Sequence, residues 1–376
     1  MRIVVLTNEY EPQIIGGLGI VATKLAQRLA ARGHDIIVVT RGRTAAVEER
    51  MMNGVRIFRF PAGSAYYSRA AHAYAKETAM YLREHIPPPH IIHVHSVQAD
   101  QLARRLQAQY GCPYIYTCHS LVASEHSIRP AARQMEMRQR RLMNGAYAVV
   151  SPSRWQARMV ERTLRDFRTR SYVIPNGVDG HALASPRHNR RFLYAGRVVR
   201  SKGVAELIQA VAIVRKRGCR LRLDIRGGGR RSYLQSLQKL VHRNNLHQAV
   251  RVLGPTPHAE LLRLMPEYNG VILPSRRESF GLVALEAMAT GTPLVATRAG
   301  GLRDFVDHQA ATVIDFPAPH AIANALRRVC ARPEDVELRR RRAHIRAERY
   351  RWSRSVIRYE RLLLACAKGT SPPVNL

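Results

Sequence analysis

Cysteine, lysine and carboxylates are scarce in this chain, and several signatures of common chemistries are missing. The five cysteines (Cys112, Cys118, Cys219, Cys330 and Cys366) are odd in number and sit mostly in apolar segments. Reduced, buried thiols in a cytoplasmic protein are expected, not a disulfide framework. Cys112 and Cys118 lack metal-site spacing and a second ligand pair, so no metal is assigned to them. No apolar run reaches the roughly 18 residues that a membrane-crossing helix needs. The opening MRIVVLTNEY is too short an apolar stretch for a signal peptide and reads as a first strand. There is no D-x-D pair suited to a divalent ion, and no G-x-G-x-x-G, which disfavours a dinucleotide enzyme. No Ser-His-Asp order can be defended, so no protein nucleophile is expected.

Asp and Glu together number 27 against 61 Lys and Arg, giving a formal net charge of +34 and a pI near 11.2. Nearly all of the cations are arginine, since lysine stands only at positions 24, 76, 202, 216, 239 and 368. Such a field favours anionic partners: nucleotide-sugars, acidic lipid surfaces or nucleic acids. A compositional bias toward arginine accounts for the same excess. The charge supports steering but selects no function, and no specific nucleic acid is expected. The cluster Arg133, Arg138, Arg140, Arg141, Arg154, Arg158, Arg162 and Arg165 reads first as a solvated helix face. Peripheral contact with an anionic membrane on the cytoplasmic side is the sharper alternative.

At 376 residues the chain fits two domains of ordinary size. Residues 2–7 form an apolar strand, followed by Gly16-Gly17-Leu18-Gly19 and an amphipathic helix over about 20–32. Strand, glycine loop and helix is an arrangement that lets backbone approach a phosphate, although a tight turn alone would look the same. Further strands are predicted near 36–40, 55–59, 91–95, 114–118, 147–150 and 171–175, with helices between them. That alternation predicts a doubly wound α/β parallel sheet, whose ligands lie beyond the carboxyl ends of the strands. His93, His95 and His119 stand at such ends. The turn-rich Pro175-Asn176-Gly177-Val178-Asp179 marks a break. The second half opens at 191–195 and continues with strands near 221–226, 250–253 and 271–273.

The most informative stretch is LPSRRESFGLVALEAMATGTPLVATRAGGLRD, residues 273 to 304. Glu278 and Glu286 flank Phe280-Gly281-Leu282, and a helix is predicted from about Leu282 to Gly291. The amides of residues 280–282 then sit at a helix N-terminus, an anion site suited to phosphate. Glu286, about one turn further in, can accept hydrogen bonds from vicinal hydroxyls such as those of a ribose. Glu278 can do the same for a sugar. Read singly, Glu278 is a solvated loop charge and Glu286 a surface helix residue.

The full phrase resembles the E-x7-E motif of retaining glycosyltransferases of the GT-B fold, family 4. Pro274-Ser275, Glu278-Ser279-Phe280-Gly281-Leu282, Glu286-Ala287-Met288, Gly291-Thr292-Pro293 and Gly300-Gly301 fall where that family has them, though Ser279 stands where glycine is frequent. Arg197 and Lys202-Gly203 match its G-R…K-G segment, and Pro175 to Asp179 its linker. The resemblance implies two facing Rossmann-like domains with an interdomain cleft. These are an acceptor-side domain over 1–183 and a nucleotide-sugar domain over 184–352. A crossover helix over 353–367 returns to the first domain, and a disordered tail over 368–376 ends the chain.

The same resemblance implies roles. Arg197, Lys202 and the amides of Phe280, Gly281 and Leu282 bind the donor diphosphate, and Gly16 and Gly17 face the sugar and diphosphate. Gly254 belongs to the segment that reads the nucleobase, Glu286 binds the ribose, and Glu278 binds the transferred sugar. His119 orients that sugar and stabilises the leaving phosphate, while His95 lines the acceptor side. No cofactor or metal is required. The donor is UDP-glucose or UDP-N-acetylglucosamine by family prevalence, and the acceptor is not readable. A glycogen-synthase-like glucan polymerase is one alternative, since Gly16-Gly17-Leu18 resembles that branch, although Ile15 replaces its usual lysine. A non-catalytic protein binding anionic ligands is another.

Overall fold

The computed structural model describes residues 1–61, 71–125, 130–164, 170–185 and 187–370. The chain divides into two compact units. One comprises 1–176 with 352–376, and the other 177–351. The expected domain boundary at 183/184 thus falls inside the second unit.

The first unit carries β1 (Arg2–Leu6), β2 (Asp35–Gly42), β3 (Glu48–Met52), β4 (Val55–Pro61), β5 (Ile91–Val94), β6 (Tyr114–Thr117), β7 (Ala148–Ser151) and β8 (Arg170–Val173). They form one sheet in the order β3-β4-β2-β1-β5-β6-β7-β8. Strands such as IIHV, YIYT and AVVS are buried on both faces, as helix-covered parallel strands must be. One strand departs from the expected parallel arrangement: β3 pairs antiparallel with β4. Its turn is Asn53-Gly54, with φ of 51° and 74°. An Asn-Gly pair is a strong hairpin signal because both positions accept positive φ.

The second unit carries β9 (Arg191–Ala195), β10 (Arg222–Arg226), β11 (Val250–Gly254), β12 (Gly270–Leu273), β13 (Leu294–Thr297) and β14 (Thr312–Ile314). All its pairings are parallel, in the order β11-β10-β9-β12-β13-β14. In both sheets the strand order reverses beside the unit's first strand, between β1 and β5 and between β9 and β12. At such switch points the helices leave to opposite faces and open a crevice at the carboxyl ends.

The helix Trp352–Ala367 belongs to the first unit. Glu360 on it accepts from Arg32 (2.6 Å) and pairs with His34 (2.8 Å). Tyr359 hydrogen-bonds Thr117 at 3.2 Å, and the Ser355 hydroxyl donates to the Pro175 carbonyl at 2.8 Å. Residues 371–376 of the expected tail lie outside the described residues.

Two arginines of the basic stretches are buried, and for Arg138 this corrects its reading as part of a solvated helix face. Arg138 is 3% exposed. Arg340, 4% exposed, pairs with Glu337 at 2.7 Å and donates to the carbonyls of Ala184 and Gly291. The hydrogen bonds from Arg340 and Arg341 hold the Glu337 carboxyl down at about 2. Arg165, also in that cluster, lies outside the described residues.

Across β9, β10 and β11, the buried Asp224 accepts from Arg251 (2.7 and 2.8 Å), Arg191 (3.2 Å) and the Tyr268 hydroxyl (2.8 Å). Burial pushes this carboxyl up, but the hydrogen bonds from Arg251 and Tyr268 outweigh it, and the net shift is downward. The bonds therefore stabilise the fold above the ordinary carboxylate pKa and are lost as pH falls through the lower folded value. Asp224→Ala is expected to cost about 2 kcal/mol near neutral pH, since two guanidinium groups and a hydroxyl lose their acceptor. Urea unfolding of the variant checks this, and a midpoint equal to wild type would remove the assigned role.

Candidate active site

The second unit's switch point gathers the motif residues that the sequence separates. After β9 the chain passes Gly196-Arg197, makes a short turn over Arg200–Lys202, and enters the helix Val204–Lys216 through Gly203. After β12 it passes Pro274-Ser275 toward Glu278. Lys202 Nζ lies 2.7 Å from Glu278 Oε1, both side chains being 14% exposed. The Ser275 hydroxyl donates to that same oxygen at 2.9 Å, and the Thr297 hydroxyl at the end of β13 donates to the Ser275 carbonyl at 2.6 Å.

Backbone contacts lock these loops together. The Arg276 amide donates to the Ser201 carbonyl (2.8 Å), and the Gly301 amide to the Glu278 carbonyl (2.8 Å). Gly203 has φ +71°, and a Cβ there would lie 2.2 Å from the Pro274 oxygen. Gly300 has φ +56°, and its Cβ would lie 2.1 Å from the Glu278 oxygen. Neither position admits a side chain without moving the loop that holds Glu278.

The helix Leu282–Ala289 begins after Gly281, and no side chain caps its N-terminus. Its first amides and the positive end of its dipole therefore remain for an anion. Phe280 contributes only backbone here, because its ring is 3% exposed and packs on Phe305 with centroids 5.2 Å apart. Arg197 is exposed, and its carbonyl accepts from the buried Tyr194 hydroxyl at 2.7 Å. The carbonyl of Gly254, at the end of β11, accepts from the Gly227 amide at 2.7 Å.

Glu286 is buried, not a surface helix residue, and its Oε1 lies 2.6 Å from His258 Nε2. Sequence reasoning missed His258. It opens the helix His258–Leu264 directly after Gly254-Pro255-Thr256-Pro257, far from Glu286 in sequence and with no motif linking the two. The all-parallel sheet puts the carboxyl ends of β11 and β12 on one side of the unit, where the two residues meet.

In the first unit the glycine loop is closed from within. Glu9, just past β1, accepts from the amides of Ile15 and Gly16 at 2.9 Å each. Gly17 opens the helix Gly17–Ala30. Glu9 was another residue that no motif announced.

Histidines at the ends of β5 and β6 form a chain in which His93 and His95 are buried and His119 is half-buried. His93 Nε2 meets the Thr117 hydroxyl at 2.8 Å, the His93 and His95 rings stand 4.2 Å apart, and His95 Nδ1 lies 2.8 Å from His119 Nε2. Buried His95 Nε2 has no partner among the described residues. An orphan lone pair costs less there than an orphan N–H, so His95 Nδ1 donates and His119 carries its proton on Nδ1. Burial pushes the His93 and His119 rings down to about 3, and His95 well below the ordinary range. All three are neutral at physiological pH, and His119 is a neutral hydrogen-bond donor, not a cation.

Two outcomes are expected. Because the unfolded histidines take up protons near pH 6.5 and the folded ones do not, their contribution is intact above that pH. It is lost as pH falls toward 3, at roughly 1.4 kcal/mol per pH unit for each fully excluded proton. His93→Gln is expected to flatten this acid limb in denaturant titrations against pH. Separately, His258→Ala leaves the Glu286 carboxylate buried without its partner and is expected to cost about 2–3 kcal/mol. Adding Glu286→Gln is expected to recover part of that loss, and strict additivity in the double-mutant cycle would show that the pair is uncoupled.

Comparison with known proteins bears on this arrangement. The model for Glycosyltransferase Family 4 matches residues 15–181, and that for Glycosyl transferases group 1 matches residues 181–348. The glycogen synthase of Mycobacterium tuberculosis is 29% identical over 402 residues, covering 99% of this chain and 97% of that protein. The D-inositol 3-phosphate glycosyltransferase of Corynebacterium urealyticum is 28% identical over 372 residues, covering 90% of this chain and 88% of the relative. Among solved structures, sucrose-phosphate synthase from Thermosynechococcus elongatus superposes with a TM-score of 0.84 at 22% identity, covering 98% of this chain and 100% of that one. Anabaena Alr3699/HepE in complex with UDP-glucose gives a TM-score of 0.78 at 20% identity, covering 97% of this chain and 100% of that one. Two Rossmann-like parallel-sheet units, consecutive family matches and nearly full-length structural likeness lead to one assignment: the chain belongs to the GT-B fold glycosyltransferases of family 4.

Proposed function

We propose that this chain is a retaining, metal-independent glycosyltransferase that moves a hexose from a UDP-sugar, UDP-glucose or UDP-N-acetylglucosamine, to an acceptor hydroxyl of a small molecule, lipid or glycan. The observation that carries the reading is the convergence of Lys202, Glu278 and the uncapped N-terminus of Leu282–Ala289 at one switch point. Cation and helix dipole stabilise a diphosphate there, while a carboxylate stands beside it for sugar hydroxyls. The UDP-glucose named with Alr3699/HepE supports the donor class.

In this reading Arg197, Lys202 and the 280–282 amides hold the diphosphate. Gly254 backs the base, Glu286 accepts from the ribose hydroxyls, and Glu278 accepts from the transferred sugar. Gly16 and Gly17 contribute from the first unit. The neutral His119 donates through Nδ1 to the sugar or its phosphate. The acceptor oxygen bonds the anomeric carbon on the face from which the phosphate departs, and a phosphate oxygen takes the acceptor's proton. UDP leaves. No protein nucleophile is used, and the fixed positive groups meet the growing negative charge that a metal would otherwise meet. We place the protein in the cytoplasm. Among the described residues no helix is long and apolar enough to cross a membrane.

A glucan polymerase is the second reading, favoured by the glycogen synthase relative. Thermal shift with UDP-, GDP- and ADP-sugars tests the first reading. UDP and its sugars are expected to raise Tm, with affinity falling at least about tenfold in Glu286→Ala and in Arg197→Ala. Each substitution removes about 1.4 kcal/mol or more of donor binding. Stabilisation unchanged in both variants would overturn the site. Product length from a glucan primer then separates single transfer from polymerisation.

A further inference from the structure

A cavity of about 540 Å³ opens in the second unit where β13 and β14 end, beside the Glu278 loop. Its wall combines three chemistries. Arg298 and Arg303 line it with exposed guanidinium groups. Each is held through Nε alone, by the Val306 carbonyl at 3.1 Å and the Arg298 carbonyl at 2.9 Å respectively. Among the described residues neither pairs with a carboxylate. That is unlike Arg191 and Arg251 on Asp224, or Arg346, which lies 2.8 Å from Asp307. Asp315 lines the same cavity and also makes no ion pair among those residues. Phe316 is 61% exposed, with the Arg276 guanidinium 5.7 Å from its ring centroid.

We propose that this cavity is a binding site for a phosphorylated sugar, separate from the donor site. Two guanidinium groups fixed at Nε present their remaining N–H groups to a phosphate in the fork geometry that suits it. The lone carboxylate in a basic wall suits the hydroxyl donors of a sugar. The exposed ring offers an apolar face to the C–H side of a pyranose. The location obeys the rule for ligands in parallel sheets, beyond the carboxyl ends of the strands. Ser275 and Thr297 also line the cavity, and Ser275 is the residue whose hydroxyl holds Glu278. A ligand here therefore touches the wall that positions the proposed sugar-binding carboxylate. This coupling to catalysis rests on the role proposed for Glu278; the binding itself does not.

Calorimetric titration of the full chain with glucose 6-phosphate, glucose and inorganic phosphate tests the site, with UDP as the independent probe of the donor site. Glucose 6-phosphate is expected to bind at least tenfold more tightly than either part, with or without saturating UDP. The Arg298→Gln/Arg303→Gln double variant is expected to lose that binding at least tenfold while UDP affinity stays unchanged. Phe316→Ser, at an exposed position where folding is not at stake, is expected to weaken the sugar phosphate but not inorganic phosphate. The proposal is overturned if glucose 6-phosphate does not bind, if UDP displaces it, if inorganic phosphate binds equally well, or if both variants bind it as wild type does. Loss of UDP binding in wild type alone would count against the donor reading instead.

Discussion

Glu278 is positioned by backbone before it is positioned by side chains, and much of the second unit's site depends on that constraint. The loop after β12 lies against two others at distances that exclude a Cβ: Gly203 faces the Pro274 carbonyl, and Gly300 faces the Glu278 carbonyl. Amide bonds from Arg276 to Ser201 and from Gly301 to Glu278 close the contacts. Only then do Lys202 and Ser275 meet one carboxylate oxygen. Such preorganisation is what electrostatic catalysis requires, because groups already fixed need not reorient as charge develops.

The helix bearing Glu286 is secured at both ends by different means. Its N-terminus is left uncapped, with orphan amides for an anion. Beyond its C-terminus Arg340 donates to the Gly291 carbonyl, while Glu337 fixes that arginine. A cation at the negative end of a helix is favourable in itself. Part of the arginine excess that composition leaves without meaning is thus a structural tie. Arg138 is likewise buried, in the first unit. The net charge of the chain still selects no partner.

The elements most legible in sequence were those whose signal is local. Apolar runs gave the parallel strands from β1 to β12 to within a residue or two but not β13 and β14, and Gly291 marked the end of the Glu286 helix. Lys202, Glu278 and Glu286 carry their own motif. The antiparallel β3 was also locally encoded, in Asn53-Gly54, but its strand EERMM alternates too weakly to register as buried sheet. What could not be read were partners brought in by topology. His258 reaches Glu286 because the parallel β11 and β12 end on the same side of the unit, and Glu9 reaches Gly16 across a loop with no repeat or spacing to announce it.

The histidine chain carries this point furthest. His93, His95 and His119 read from sequence as residues at strand ends, and an isolated histidine in water titrates near neutrality. Packed together between β5, β6 and the helix Trp352–Ala367, they lose water and hold one another neutral. Thr117 and Tyr359 hold the inner ring, His93, while the bond between His95 and His119 sets the tautomer at the outer end. For the donor role proposed for His119, a neutral imidazole with a fixed tautomer serves better across a wide pH range than a titrating one. That property belongs to the assembled fold: no one of these residues has it alone.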